Sequence, residues 1–326
     1  MSNKQPTQAQ SGPTTAVSFQ EVSEHQAGQR LDNFLLSRLK GVPKSRIYRI
    51  IRKGEVRVNK KREKPDYKLS QGDIVRIPPV RVAAPNTQVP PSDALKLLLE
   101  NAVLYSDDAI LVLNKPSGLP VHGGTGVKVG LIEAMRQLIP DAEGLELAHR
   151  IDKGTSGCLL LARHGSALKA LTNQFRQNTV KKTYHAIVEG HWPASVEEVG
   201  ASLKRQEPQG GERFVTADSD GRSALTHFGI LASGPSATLV QAMPVTGRTH
   251  QIRVHAQLAG HPIIGDEKYS DPEARKQFAK QGIKRLCLHA RELQIAHPVT
   301  GEPISVTAPY DEQFEQAIRT LQLAGD

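Results

Sequence analysis

Apolar positions recur with two different periods along this chain, and the changes of period mark out two modules. In residues 30–39, Leu31, Phe34, Leu35 and Leu39 fall on one stripe and predict a helix. Pro43 interrupts, and residues 45–53 predict a second helix ended by Gly54. Its apolar side carries Ile47, Ile50 and Ile51, while Arg46, Arg49 and Lys53 share another face. Residues 56–59 alternate as a short strand; Gly72-Asp73 leads into another over 74–77, stopped by Pro78-Pro79. Pro79, Pro85, Pro90 and Pro91 then read as a stiff linker over 81–97. Beyond it, strand-like runs at 109–113, 157–162, 184–189, 224–231, 238–242 and 293–296 mix with helical periodicity at 166–177 and 249–258. Such alternation without a βαβ rhythm predicts an α+β domain over 98–321, with a large mixed, mostly antiparallel sheet flanked by helices. Residues 1–18, rich in Gln, Thr and Ser, are expected to be a disordered tail.

With 326 residues, 38% hydrophobic and 23% charged, the chain reads as an ordinary soluble protein with enough length for a sizeable core. No apolar run approaches the roughly 20 residues of a membrane span, and the N-terminus lacks the apolar core of a secretory signal. A cytoplasmic monomer without membrane attachment is the expectation. Cys158 and Cys287, each inside an apolar run, are expected to be buried free thiols.

Charge changes the picture once it is located. Residues 29–78 hold fifteen Lys and Arg against five acids, an excess of ten, whereas the whole chain carries +9. The positive charge therefore belongs to the first module, the footprint of a polyanion-binding surface beside a near-neutral domain. A merely solvated helix pair would not concentrate cations in this way.

Candidate chemistry lies in the second domain. His149-Arg150-Ile151-Asp152-Lys153-Gly154-Thr155-Ser156-Gly157 places one carboxylate between two cations, which favour its ionised form. For an arbitrary Asp, a surface turn with a local ion pair is the ordinary reading. Three further segments accompany it: Lys182-Thr-Tyr184-His185, Gly247-Arg248-Thr-His250-Gln-Ile-Arg253-Val-His255, and Leu286-Cys287-Leu288-His289-Ala290. Arg248 and Arg253 are five apart and point in different directions, so one of them is open as a partner for Asp152. Tyr184 is either a core aromatic or a flat platform for a nucleobase. His250 and His255 have the wrong spacing for a helical zinc pair, and no Cys-x-x-Cys or His-Glu-x-x-His occurs. The Gly-rich stretch from His122 lacks the Gly-Lys-Ser/Thr ending of a phosphate loop, and no Gly-x-Ser-x-Gly elbow exists. Neither a metal nor a cofactor is expected.

Arg30-Leu31-Asp32, Pro43-Lys44-Ser45-Arg46, the run Lys53 to Asn59 and Gly72-Asp73 together resemble the S4 RNA-binding domain, over residues 28–80. That resemblance implies a small α/β module and makes Lys44, Arg46, Arg49, Lys53, Arg57, Lys60, Lys61 and Arg62 the RNA-contacting set. The Asp152 segment, Gly247-Arg-Thr-His-Gln-Ile-Arg253 and Leu288-His-Ala290 resemble the RluA family of pseudouridine synthases. Gly41-Val-Pro-Lys-Ser45, the run Arg57 to Arg62, the run Ile77 to Val82 and Leu113-Asn-Lys-Pro-Ser-Gly118 are similar to its members acting on large-subunit ribosomal RNA. Ile151 and Lys153-Gly154 depart from the Leu and Arg-Asp of some relatives, which bears on subgroup. The resemblance implies isomerisation of uridines in 23S ribosomal RNA or its precursor. It makes Asp152 the catalytic aspartate, Arg253 its salt-bridge partner and Tyr184 the residue against the flipped base. Arg150 would displace the uridine, Leu288 would line the pocket, and Arg248 would belong to the substrate site. The same chemistry on other ribosomal or transfer RNA uridines is the alternative, as is a non-catalytic S4-type RNA-binding or ribosome-assembly factor.

Overall fold

A computed structural model describes residues 17–23, 26–39, 42–80, 90–123, 129–140, 142–206 and 214–323. Most of the expected tail, Gly41, Arg81-Val82, much of the linker and the end of the Gly-rich stretch lie outside them. The chain divides into two compact units, Met1–Val89 and Pro90–Asp326.

The first unit contains β1 (Ser18–Glu21), α1 (Leu31–Arg38), α2 (Lys44–Arg52), β2 (Arg57–Val58) and β3 (Ile74–Ile77). β3 lies between β1 and β2, antiparallel to both. Leu31, Phe34 and Leu35 of α1 meet Ile47, Ile50 and Ile51 of α2 and Val75 and Ile77 of β3 in one buried core. Each such side chain contributes about 1.5–3 kcal/mol when withdrawn from water. Burying that stripe turns the opposite face of α2 to solvent, where Arg49 is exposed. The strand expected over 56–59 shortens to two residues because Asn59 and Lys60 take positive φ values of 49° and 68°. Asn59 closes this turn, donating to Asp73 Oδ1 at 2.7 Å and accepting the Ile74 N–H at 2.9 Å. Lys60 and Lys61 are thereby exposed at its tip.

The second unit opens with α3 (Asp93–Glu100), most of it inside the stretch 81–97 read as linker. Ser92 accepts the Leu95 N–H, an N-cap that the run of prolines obscured. β4 (Val103–Ser106), β5 (Ile110–Lys115), α4 (Leu131–Leu138), β6 (Glu146–Leu147), β7 (Ser156–Ala162), α5 (Gly165–Arg176) and β8 (Lys181–Glu189) follow. Then come β9 (Glu198–Gln206), β10 (Phe214–Ala217), β11 (Arg222–Ser233), β12 (Ala237–Pro244), α6 (Gln251–Leu258), α7 (Pro272–Lys280), β13 (Leu288–Ala296), β14 (Pro303–Thr307) and α8 (Glu312–Thr320). One sheet runs β10-β9-β11-β12-β8-β13-β7-β5-β4, with β14 on β13 and β6 on β7. Every pairing is antiparallel except β13 with β7, as the α+β reading predicts.

β7 is buried at all seven positions, which suits its unbroken apolar run and its central place. Its parallel contact with β13 is close. A Cβ at Gly157, where φ is +101°, would stand 2.2 Å from the Ala290 carbonyl oxygen. Among the described residues no helix is long and apolar enough to cross a membrane.

Candidate active site

Asp152 sits in the loop between β6 and β7. Two devices hold that loop from behind. The half-buried imidazole of His149 accepts the Leu160 N–H at 3.0 Å and stacks on Phe175. Burial, with Lys182 nearby, lowers its pKa to about 4, so it stays neutral and can accept. Lys115, fully buried, donates to the carbonyls of Pro116, Leu119 and Lys153 at 2.8, 2.8 and 3.0 Å. Desolvation pulls this amine down to about 7, Arg285 adds to the effect and Asp152 opposes it. Ser117 reinforces the clasp by donating to the Gly154 carbonyl at 2.7 Å.

Sequence adjacency suggested that Arg150 and Lys153 flank the carboxylate, yet both side chains are exposed and neither forms an ion pair among the described residues. The partner is Arg253 of α6, whose Nη1 donates to Asp152 Oδ2 at 3.1 Å. The other edge of that guanidinium is bidentate on Asp266, with Nε to Oδ2 at 2.6 Å and Nη2 to Oδ1 at 2.7 Å. Asp266 is wholly buried and also accepts the N–H groups of Lys268 and Tyr269. Burial opposes the charge on Arg253, but the hydrogen bonds and charges of Asp266 and then Asp152 outweigh it and raise its pKa. The Tyr269 ring lies 5.0 Å from the guanidinium carbon and supports it by a cation–π contact.

The turn before α6 explains why Arg253 and Arg248 diverge. The helix begins at Gln251, two residues later than periodicity predicts. Gln251 is buried; its Oε1 accepts from Thr246 Oγ1 and the Arg248 N–H, and its Nε2 donates to Leu225 and Thr226. This brace leaves His250 at a left-handed φ of 54° and turns Arg248 outward, where its Nε reaches the Ser223 carbonyl. Arg248 therefore does not pair with Asp152.

Tyr184, on β8, is half-buried and packs against three apolar clusters. Burial raises its phenol pKa, and the negative charge of nearby Asp152 adds to the rise. Tyr184 is thus an aromatic wedged into the core beside the carboxylate. Leu288, buried at the start of β13, lies opposite Ala186 of β8. Cys158 and Cys287 are free and buried, and desolvation raises each thiol to about 12.

The structure brings Asp152, Arg253 and Tyr184 together and leaves Arg150 and Arg248 on the exposed rim. Sequence reasoning missed Asp266, Lys115, His250 and Tyr269 as members. The signal for Asp266 was a Gly-Asp step directly after the apolar pair Ile263-Ile264. In the first unit, Lys44, Arg49, Lys53, Lys60, Lys61 and Arg62 are exposed; Arg46 and Arg57 are half-buried. None of the eight is ion-paired among the described residues, and the Arg62 side chain lies over Gly54.

Comparison with known proteins places both units in known families. Residues 109–258 match the RNA pseudouridylate synthase family and residues 29–75 match the S4 domain. A Haemophilus ducreyi protein named ribosomal large subunit pseudouridine synthase C is 52% identical, over 94% of this chain and 96% of its own length. The Escherichia coli protein of the same name is 50% identical over 95% and 98%. The structure titled human RNA pseudouridylate synthase domain containing 4 is similar with a TM-score of 0.59 and 28% identity. It covers 71% of this chain and 97% of that one. A carboxylate held by a buried, doubly paired arginine beside a core tyrosine thus sits within a chain that belongs to the RluA family of RNA pseudouridylate synthases and carries an S4 domain.

Proposed function

We propose that this chain converts specific uridines of 23S ribosomal RNA to pseudouridine in the cytoplasm, with Asp152 as its catalytic carboxylate. The N1–C1′ bond is cleaved, the base turns, and C1′ is rejoined to C5; C5 gives up its proton and N1 takes one up, so the composition is unchanged. The observation that carries the reading is the Asp152–Arg253–Asp266 chain beside Tyr184. Asp152 acts on the sugar or the base only when charged, and Arg253 keeps a cation against it as the pocket closes. Tyr184 packs against the extruded base and Leu288 forms part of the apolar wall. Arg150 takes the place the uridine leaves in the stack, and Arg248 meets the neighbouring backbone.

Extruding a nucleotide costs a few kcal/mol, least in loops and bulges. Phosphate contacts from Lys44, Arg46, Arg49, Lys53, Arg57, Lys60, Lys61 and Arg62 offset that cost. Such contacts fix register and make affinity strongly salt-dependent. The relatives named ribosomal large subunit pseudouridine synthase C support the choice of RNA.

The test is pseudouridine mapping of large-subunit ribosomal RNA from cells lacking the gene and from the complemented strain. Sites that vanish and return identify the targets; an unchanged map excludes this substrate. A second expectation concerns the first unit. The triple variant Arg46→Gln, Arg49→Gln, Lys53→Gln reduces the slope of log affinity against log salt by about 2–3, close to one per lost phosphate contact. A slope equal to the unmodified chain's removes the basic helix face from the interface.

A further inference from the structure

His250 stands beside the proposed catalytic carboxylate yet has no part in the mechanism above. Its Nε2 lies 3.9 Å from Asp152 Oδ2, and its side chain is only 13% exposed. Its backbone is left-handed, with φ 54° and ψ 18°. That conformation is uncommon for residues other than glycine, and strain of this kind gathers at working sites. The Gln251 brace described above holds it there.

The partners of Tyr269 point to which nitrogen of the ring carries the proton. Tyr269 Oη accepts the Val215 N–H at 2.9 Å and lies 2.7 Å from His250 Nδ1. Among the described residues Nδ1 is the sole acceptor in reach of the phenolic proton. Tyr269 therefore donates to Nδ1, and the proton of the neutral imidazole resides on Nε2, facing Asp152. Burial keeps the imidazole below its ordinary pKa, with Arg253 and Lys268 lowering it and Asp152 and Asp266 pulling the other way.

Arg253 already donates to Oδ2, and Asp152 Oδ1 takes no hydrogen bond from the described residues. We propose that His250 is a positioning residue: its Nε2–H, fixed in tautomer by Tyr269, is a second donor to Asp152 Oδ2 that leaves Oδ1 as the reacting oxygen. A gap of 3.9 Å is too long for a hydrogen bond in the free protein. Catalytic hydrogen bonds that are long in the free enzyme tighten when substrate binds. The inference rests on Asp152 being the catalytic carboxylate.

The test compares His250→Asn with His250→Gln in the full chain, using single-turnover conversion of a large-subunit ribosomal RNA transcript. Asn tolerates the left-handed backbone but is too short to reach Asp152, whereas Gln places an N–H donor near the position of Nε2. The Asn variant loses about 10- to 100-fold in maximal rate with its half-saturating RNA concentration unchanged, the worth of one hydrogen bond to a charged group. The Gln variant recovers most of that rate. A wild-type rate for Asn, or equal losses in both variants, overturns the proposal. Asp152→Asn in parallel separates the two readings. If it is active, the site assignment fails; if it is inactive while His250→Asn is normal, only the role of His250 fails.

Discussion

Asp152→Asn lowers pseudouridine formation by roughly 1,000-fold or more while RNA binding survives, the scale expected when a group that must attack or take a proton loses that capacity. The substitution is nearly isosteric. Asn keeps an oxygen that accepts the Arg253 Nη1–H, and Arg253 retains its two bonds to Asp266, so the pocket keeps its shape. What disappears is the negative charge. Single-turnover conversion measures the loss, and filter retention of labelled transcript measures binding. A variant that modifies RNA at the unmodified rate would remove Asp152 from the chemistry.

Arg253→Met lowers both stability and activity. Asp266 is fully buried, and Arg253 is its one cationic partner among the described residues. Removing that partner leaves an uncompensated buried charge and costs about 3–5 kcal/mol of folding stability. It also strips Asp152 of its ion pair, so activity collapses too. The double variant Arg253→Met, Asp266→Asn resolves the two effects. Asn at 266 still accepts the Lys268 and Tyr269 N–H groups but carries no charge, so most of the stability returns in urea unfolding. Activity does not return, because Asp152 has lost its ion pair with Arg253. Recovery of both properties in the double variant would reduce Arg253 to a structural role.

Local patterning made a good part of the molecule legible. The stripes Leu31/Phe34/Leu35 and Ile47/Ile50/Ile51 became the faces of α1 and α2, because a helix must bury the side that repeats. β7 announced itself by an unbroken apolar run. β9 did not, since only Leu203 of its nine residues is buried and the rest alternate weakly. At the site, Asp152, Arg253 and Tyr184 were visible as motif residues, with Arg248 and Arg253 equal as partners on spacing alone. The choice between them depends on the Gln251 brace, two of whose partners lie 25 and 26 residues upstream. Asp266 stayed hidden because a single acid after two isoleucines has no periodic signature.

The sheet order carries a consequence for synthesis. β7 and β8 follow one another in the chain, yet β13, which begins 99 residues after β8 ends, lies between them. Chains fold largely from the N-terminus as they emerge. The core of the first unit is complete by residue 80, whereas the surroundings of Asp152 close only after β13 has been made. The strands that flank the site are therefore joined late in synthesis, when β13 fills the central gap in the sheet.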